Sequence, residues 1–351
     1  MLLALGATTV LAGAAALLTI ATTPHGQWDA IAVWNLKARF IYHSPSDPLS
    51  RIMDPALWDT QPDYPLLLPS LVARGWQYAG QDSVIVPIGI AILFLVSTVL
   101  MVINGLKLLS SSFEAQLAGC LLLSTPFFIR HGVSQYADIL MCGFITAAVV
   151  LFSIHDSQQI PSSRLPLLAG IAAGLAACTK NEGVLFVAVL AAVRALLQRS
   201  LRELGKLAAG AAFGIAVLVL FKIFYSPPNP IVHSITGRVL LDRIADGNYH
   251  AKILNAFAGK SLAFGQWWIP PFLLLVIHVV ATRYTAPAKD NSRAWLTTAG
   301  VLVGALCGYY AVYLLSPYDL DWHIGTSLDR LLLQIWPTAL LLYSMLTRDM
   351  T

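Results

Sequence analysis

The chain has 351 residues, of which 57% are hydrophobic and 11% are charged, whereas about 25% of the residues in an ordinary soluble domain are charged. This composition excludes a single water-soluble core. The formal net charge of +4, with no lysine-rich or arginine-rich block, also makes nucleic acid an unexpected partner.

Apolar runs recur along the whole sequence, and each is long enough to cross a hydrocarbon core of ~30 Å, which needs about 20 helical residues. They predict an all-α, polytopic transmembrane helical bundle of about ten spans that forms one domain over residues 1–351. The first span lacks a basic n-region and is longer than a secretory h-region, so we expect it to be retained. The predicted spans are 1–22, 83–104, 115–130, 135–154, 166–178, 182–198, 205–225, 266–283, 295–315 and 330–347.

The distribution of lysine and arginine near the span ends predicts the orientation in a plasma (inner) membrane. Four loops and the C-terminus hold more basic than acidic residues and are placed in the cytoplasm. These loops are 104–115, 155–165, 194–206 and 283–294. The two sizeable polar loops, 23–82 and 226–265, then face the periplasm or outside, so chemistry on soluble groups is expected there.

The first outer loop, 23–82, is rich in tryptophan and tyrosine, which favour the headgroup level of a membrane. Within it, Ile31, Trp34, Ala38 and Ile41 recur at helical spacing. This pattern predicts short interfacial helices that lie on the lipid bilayer.

Asp29 follows the first span by a few residues and precedes Lys37 and Arg39, while Asp63 and Tyr64 close the same loop. An isolated Asp in such a position is ordinarily a solvated residue. A group of carboxylates and bases between membrane-anchored aromatics, however, suits the positioning and deprotonation of a hydroxyl acceptor. Asp29 is therefore the candidate catalytic residue of this loop.

Four further ionisable residues lie at predicted outer span ends: Asp138, Lys180, Glu182 and Arg330. Each has a structural alternative: a carboxylate favoured by a helix N-terminus, a polar turn with snorkelling side chains, or an ordinary interfacial arginine. In the functional interpretation, Lys180 meets a lipid phosphate as a point charge. Arg330 then recognises phosphate through its planar fork.

Metal sites are not expected from this sequence. Asp319, Asp321 and His323 are close in sequence, but no fourth ligand is suggested. The cysteines lie inside apolar runs without CxxC spacing, so structural disulfides and a cysteine zinc site are not expected either. His278, within an apolar span, is interpreted as a packing residue.

Five short segments follow one another in order at the predicted outer ends of the spans. They are Trp28-Asp29 with Trp34, Lys37 and Ala38, Asp63-Tyr64-Pro65 with Pro69, Tyr136-Ala137-Asp138, Lys180-Asn181-Glu182-Gly183, and Asp329-Arg330 with Pro337. In this order they resemble the GT-C class of membrane glycosyltransferases, in particular the bacterial family 39 group, related to protein O-mannosyltransferases and aminoarabinose transferases. Asp29 is followed by Ala30, where many members have a second acidic residue.

The resemblance implies transfer of a hexosyl or pentosyl group from a polyprenyl-phosphate sugar to a lipid, glycan or protein acceptor on the extracytoplasmic face. It gives Asp29 the role of general base or acceptor-positioning carboxylate. It implies that basic residues such as Lys37, Lys180 and Arg330 hold the donor phosphate. Apart from the lipid-phosphate sugar, the donor substrate, the sequence gives no firm indication of a cofactor, and a divalent cation is not expected. A multi-pass transporter or lipid flippase for cell-envelope glycolipid is the alternative, and a non-catalytic assembly factor is a third interpretation.

Overall fold

The computed structural model describes residues 1–160, 162–198, 200–229, 237–267 and 292–346, with Val276, Ile277 and Val280. All regular structure in these ranges is helical, which confirms the all-α prediction. A π-helical turn, Ala30–Trp34, and two 3₁₀ turns, Pro55–Thr60 and Phe264–Gln266, complete the connections. The α-helices are α1 Leu2–Thr22, α2 Asn35–His43, α3 Pro48–Ile52, α4 Leu67–Ala79, α5 Ile85–Leu109, α6 Ser112–Leu123, α7 Pro126–Gly132, α8 Ala137–Asp156, α9 Leu165–Ala177, α10 Glu182–Gln198, α11 Leu201–Phe224, α12 Gly237–Ala245, α13 Gly247–Leu262, α14 Ser292–Leu315 and α15 Leu320–Leu346.

Five of the described helices, α1, α5, α8, α11 and α14, are long and apolar enough to cross a membrane. The pair α6 and α7 makes a sixth candidate, bent by 67°. The prediction of about ten spans is therefore not confirmed. Helix α9 has 13 residues, and at 1.5 Å per residue it covers only about two thirds of a ~30 Å core. The predicted span 266–283 lies almost wholly outside the described residues.

Helix α8 forms the centre of the bundle and packs against α5, α9, α14 and α15. Of the residues in the apolar stretch of α8, 83% are buried, as expected for a helix that is hydrophobic on every face. Each end of α8 nevertheless carries a buried carboxylate, Asp138 at the start and Asp156 at the end. At the end, Arg194 lies 2.5 Å from Asp156, which binds α10 to α8 through a buried ion pair.

Helices α9 and α11 approach so closely that their backbones touch at glycines. A Cβ atom on Gly170 would lie 2.3 Å from the carbonyl oxygen of Leu207, and one on Gly210 would lie 2.1 Å from that of Leu167. Gly174 meets Ala211 and Gly214 in the next turn. Small residues at a spacing of four are typical of close helix packing in membranes.

The contact between α9 and α11 predicts how a glycine-to-alanine substitution affects stability. It is tested at Gly210, which lies in the contact, and at Gly205, which does not. Gly210→Ala is expected to lower the free energy of unfolding by about 1–3 kcal/mol, because overpacking forces the helices apart. Gly205 has no atom within 4 Å of its virtual Cβ, so Gly205→Ala should be neutral or stabilise by up to about 1 kcal/mol. Thermal unfolding in detergent measures both, and equal shifts would contradict the packing argument.

The first outer loop folds into the π-helical turn and α2 to α4, so helices form where the spacing predicts them. Trp34 and Ala38 are fully buried, whereas Ile31 is 50% exposed. The Trp34 ring stacks on Tyr64, with centroids 5.6 Å apart. The apolar face of this segment therefore packs against protein, and the prediction that it lies on the bilayer is not confirmed.

Both outer loops meet at the end of the bundle where α8 begins. In the second, Asn229 hydrogen-bonds to Asp63 of the first loop. Lys260 in α13 pairs with Asp329 in α15 at 2.6 Å. The polar residues that the sequence places at outer span ends thus occupy one end of the fold.

Candidate active site

Asp138 is the centre of a buried hydrogen-bond network in the first turn of α8. Its Oδ1 accepts hydrogen bonds from Lys180 Nζ at 2.9 Å and from Gln334 Nε2 at 2.7 Å. Its Oδ2 accepts from Arg330 Nε at 3.0 Å and Nη2 at 2.8 Å, and His131 Nε2 lies 3.4 Å away. A buried carboxylate is tolerated when it is paired and hydrogen-bonded in this way.

Asp29 joins the network through Arg330, whose Nη2 lies 2.7 Å from Asp29 Oδ2. The same Nη2 atom contacts Asp138, so one guanidinium bridges two carboxylates. Asp138 has no exposed side-chain surface, whereas the Asp29 side chain is 21% exposed. Asp29 is therefore the carboxylate that is accessible from outside the network, and Asp138 is the one that pairs with Arg330 from within it.

The backbone before Asp29 is clamped to the segment that precedes α8. The Tyr136 hydroxyl accepts the backbone N–H of Asp29 at 3.1 Å, and Gln135 Nε2 donates to the carbonyl oxygen of Pro24 at 2.9 Å. Gly26 adopts φ +77°, and a Cβ atom on it would lie 2.6 Å from the Ser134 carbonyl oxygen. The two chain segments therefore approach each other too closely for a side chain at this position. These contacts fix Asp29 relative to Asp138.

Lys180 lies behind the wall of the site, with 3% of the residue exposed. Its Nζ contacts Asp138 Oδ1 and Glu182 Oε1, both at 2.9 Å. Burial disfavours the charged ammonium, but Asp138 and Glu182 outweigh that effect and raise the pKa of Lys180. Lys180 is thus engaged with carboxylates and is not presented at an outer mouth.

Asp63 connects the first loop to two other parts of the fold. Its Oδ2 accepts from Asn181 Nδ2 at 2.7 Å and Asn229 Nδ2 at 2.8 Å. Lys222 Nζ lies 3.7 Å from the same oxygen and donates to the Asp63 carbonyl. The adjacent Tyr64 is buried, and burial followed by the charge of Glu182 raises the pKa of its phenol.

Lys37 is 1% exposed and donates to the carbonyl oxygen of Gln61 at 2.5 Å. Its ammonium lies 5.9 Å from the ring centroids of both Trp34 and Tyr64. Burial, opposed by Asp63, lowers the pKa of Lys37 to about 7. Gln61 has a left-handed backbone conformation with φ 54°. The hydrogen bond from Lys37 to its carbonyl oxygen stabilises this turn in the wall of the site.

The lowered pKa of Lys37 predicts a pH dependence of stability. Between about pH 7, the pKa of Lys37 in the folded chain, and the ordinary lysine pKa of 10.5, the unfolded chain holds a proton that the folded chain has released, so stability rises with pH. In Lys37→Met this contribution is absent, and its unfolding midpoint should rise less than that of the unmodified protein from pH 7 to 9.5. Lys107→Met, which removes an exposed lysine, is the matched control. Parallel curves for Lys37→Met and the unmodified protein would contradict the prediction.

Arg39 lies apart from this network. Its Nε is 3.5 Å from Asp82 Oδ2, and its guanidinium lies 5.9 Å from the ring centroid of Trp76. It lines a separate small cavity of about 230 Å³. The structure therefore does not bring Arg39 to Asp29.

A cavity of about 720 Å³, called the large cavity below, opens above Asp29 and Arg330. Among its described lining residues, Arg330 is the one Lys or Arg side chain, whereas Lys37, Lys180 and Glu182 do not line it. Its aromatic and proline lining suits an apolar ligand that bears a polar head. The lining residues are Trp28, Asp29, Val33, Trp58, Asp59, Gln61, Pro62, Asp63, Tyr64, Pro227, Pro228, Tyr318, Asp319, Trp322, His323, Thr326, Ser327 and Arg330.

In the part of the chain that the structure describes, no group of three or more His, Cys, Asp or Glu side chains could hold a metal ion. Asp319 and Asp321 point to other partners: Asp319 Oδ1 accepts the backbone N–H of Trp322 at 2.9 Å, and Asp321 pairs with Lys252 at 2.7 Å. His323 lines the large cavity.

The sequence analysis did not identify three residues that contact Asp29 or Asp138 as candidate site residues. They are His131, Tyr136 and Gln334. Gln334 follows Arg330 by four positions, so both lie on the same face of α15, and this spacing was a usable signal. His131 precedes Asp138 across a helix break, and its proximity has no simple sequence signature.

The buried ion network thus lies beneath a partly apolar cavity, in a helical protein with at least five candidate membrane spans among its described helices. The sequence of residues 7–226 matches the family described as dolichyl-phosphate-mannose-protein mannosyltransferase, and the chain belongs to this family. The GT-C family 39 resemblance is thereby confirmed. The family consists of membrane glycosyltransferases that use polyprenyl-phosphate-linked sugar donors. No curated protein and no solved structure matches the chain.

Proposed function

We propose that this protein transfers a sugar from a polyprenyl-phosphate carrier to a hydroxyl acceptor, with Asp29 as the general base. The observation that carries the proposal is the contact of Asp29 and Arg330 at the wall of the large cavity. A proton acceptor and a phosphate-binding cation stand side by side there, where both partners of a transfer reaction must meet.

Arg330 is the residue that would receive the donor phosphate. Its guanidinium offers donors to the cavity, while Asp138 holds Nε and Nη2 from behind. A fixed cation near the bond that breaks stabilises the charge that grows on the leaving phosphate. Trp28, Trp58 and Trp322 supply apolar surface for the first part of the isoprenoid chain.

The proposed reaction is a direct displacement at the anomeric carbon. The acceptor oxygen forms a bond to that carbon as the bond from the carbon to the phosphate oxygen breaks. The hydroxyl proton passes to the Asp29 carboxylate, and the polyprenyl phosphate leaves with both electrons of the broken bond. Lys180 and Glu182 act at a distance here, because they complete the pairing of Asp138 that keeps Arg330 oriented.

We place the reaction on the extracytoplasmic face of the plasma membrane. Support comes from the lysine and arginine distribution and from the gathering of both long loops at the Asp29 end of the bundle. The proposed acceptor is a lipid, a glycan or a protein, and the proposed transferred group is a hexosyl or a pentosyl group. A transporter would place ionisable residues at mid-membrane in broken helices, whereas this cluster lies at one end.

The deciding experiment incubates purified protein in lipid vesicles with a panel of radiolabelled polyprenyl-phosphate hexoses and pentoses, together with lipid, glycan and peptide acceptors that carry free hydroxyl groups. Release of polyprenyl phosphate together with a labelled acceptor product supports the proposal. Nucleotide sugars serve as the control donors, and consumption of none of the lipid-linked sugars would overturn it.

The face of action has its own test. Reporter fusions at positions in 226–229 and 246–248 should report an extracytoplasmic location, as should a fusion within 44–47. A cytoplasmic signal from either loop would contradict the placement while leaving the transfer chemistry untouched.

A further inference from the structure

Helix α12, in the second outer loop, is fixed to the end of a candidate membrane span. Arg243 Nη1 donates to the carbonyl oxygens of Leu314 at 3.1 Å and Ser316 at 2.6 Å. The last carbonyls of a helix have no partner within it, and a cation at that end also suits the helix dipole. The Arg243 guanidinium lies 5.2 Å from the ring centroid of Tyr249, which adds a second contact to this tether.

The span that carries the tether gives α12 its depth relative to a bilayer. Helix α14 has 24 residues, and at 1.5 Å per residue it is about 36 Å long, whereas the hydrocarbon core is ~30 Å thick. Each end therefore extends about 3 Å beyond the core, so Leu314 and Ser316 lie at its boundary. His250, near the start of α13, hydrogen-bonds to the Tyr310 hydroxyl, about one turn before that end. Helix α12 thus lies at the level where hydrocarbon meets headgroups.

The side of α14 that leads to this contact is an exposed stripe. Leu296, Val303 and Cys307 are exposed, and at about 100° per residue they fall on the same face of the helix as Leu314. Lipid tails are as apolar as leucine, so they cover such a surface on a membrane span. The tether therefore places α12 at the end of a surface that faces lipid.

Helix α12 itself has an apolar flank and a polar flank. Its Arg243 points to α14. At about 100° per residue, Leu241 and Ile244 then fall on one flank and Asp242 on the opposite flank. Leu241 is 67% exposed and Ile244 is 51% exposed, and Asp242 is exposed as well. A helix with these two flanks is typical of those that lie in the plane of a membrane interface.

We propose that α12 is a membrane-surface helix, which binds the lipid bilayer at the boundary between hydrocarbon and headgroups through Leu241 and Ile244. Asp242 faces water, and Arg243 sets the depth of the helix through its bonds to the end of α14. The partner is a lipid surface, because the apolar flank lies at the level of the core boundary and adjoins the lipid-facing stripe of α14. The sequence predicts membrane-surface helices in the first outer loop, whereas this contact assigns one to the second. The proposal depends neither on the transferase reaction nor on the side of the membrane.

Nitroxide labels on the purified protein in lipid nanodiscs test this placement. The labels are attached, one at a time, to Leu241→Cys, Ile244→Cys and Asp242→Cys. The two cysteines that are not buried, Cys120 and Cys307, are first replaced by serine. Electron paramagnetic resonance then compares collisions with oxygen, which concentrates in hydrocarbon, and with a water-soluble nickel chelate. The ratio of oxygen to nickel collisions should be severalfold higher at 241 and 244 than at 242, the matched control on the same helix.

Leu93→Cys gives the reference for hydrocarbon, because Leu93 is 61% exposed in the candidate span α5. The ratios at 241 and 244 should lie between those at 93 and 242. Equal ratios at 241, 244 and 242 would overturn the proposal, since water would then surround α12. Low collision rates with both reagents at 241 and 244 would also overturn it, since another protein or a second copy would then cover the apolar flank.

Arg243→Ala tests the tether separately. It removes both hydrogen bonds to the end of α14, so the collision ratio of the label at 241 should shift toward the value at 242. A ratio at 241 that Arg243→Ala leaves unchanged would show that Arg243 does not set the depth of α12. Because no transfer is measured, failure of the proposed transferase reaction leaves these results interpretable.

Discussion

Replacing Asp29 with asparagine is expected to lower the rate of sugar transfer by about 10²–10⁴-fold, the usual contribution of a general base. Asparagine keeps the shape of the side chain and an oxygen that can accept from Arg330, but it cannot take up the acceptor proton. The 2.7 Å contact between residue 29 and Arg330 therefore keeps its geometry, while the negative charge of Asp29 is lost. Turnover of a radiolabelled lipid-linked donor by the purified variant measures the loss.

Asp59→Asn provides the matched control for this experiment. Asp59 lines the same cavity but is exposed and lies outside the network around Asp138. Its replacement removes the same charge from the same space and should change turnover by less than about tenfold, the scale of exposed electrostatic effects. Near-normal turnover of Asp29→Asn, or an equal loss in both variants, would show that Asp29 is not the base.

The boundaries of helices were predictable from the sequence where local residues, such as a polar segment or a proline, determine them. Residues 178–181 separate α9 from α10, within the polar segment where the sequence predicts a break. The predicted span 115–130 is instead two helices, bent by 67°. Pro126 occupies the first position of α7, a place that proline favours because its missing N–H is not needed there. That proline was a readable signal for the break.

The number of spans was harder to predict because hydropathy does not separate a membrane span from a buried helix. Helix α9 is apolar, but it is shielded by α8 and α11 rather than matched to the bilayer thickness. Helix α10 carries Arg194, which is buried against Asp156. The sequence alone does not distinguish a buried, paired arginine such as Arg194 from an arginine in a solvent-exposed loop.

Residue types in the site were predictable, but their partners were not. Arg330 and Asp138 are separated by 192 residues in sequence, and charge alone gives no distance between them. Lys180 was expected at a lipid phosphate and instead pairs with Asp138 at 2.9 Å. Such pairing arises from tertiary packing around α8, which a single sequence does not encode in any local pattern.

The second large effect is expected at the buried ion network, where Asp138→Asn should lower the free energy of unfolding by about 3–5 kcal/mol. The reason is that Lys180 and Arg330 keep their charges in a buried place while the carboxylate that faces both is lost. Lys180→Met should also be costly, because Asp138 and Glu182 lose their shared cation. Thermal unfolding in detergent and the yield of folded protein measure each variant.

The double variant Asp138→Asn with Lys180→Met distinguishes a pair interaction from two independent losses. Removing both partners eliminates one buried charge of each sign, so the double variant should be more stable than the sum of the single losses by about 0.5–3 kcal/mol. If Asp138→Asn alone gives no folded protein, recovery of folded protein in the double variant reports the same coupling. Gly205→Ala combined with Asp138→Asn is the control, because a site without contacts should add to the loss independently. Strict additivity of Asp138→Asn and Lys180→Met would mean that the 2.9 Å contact between these two residues contributes nothing specific to stability.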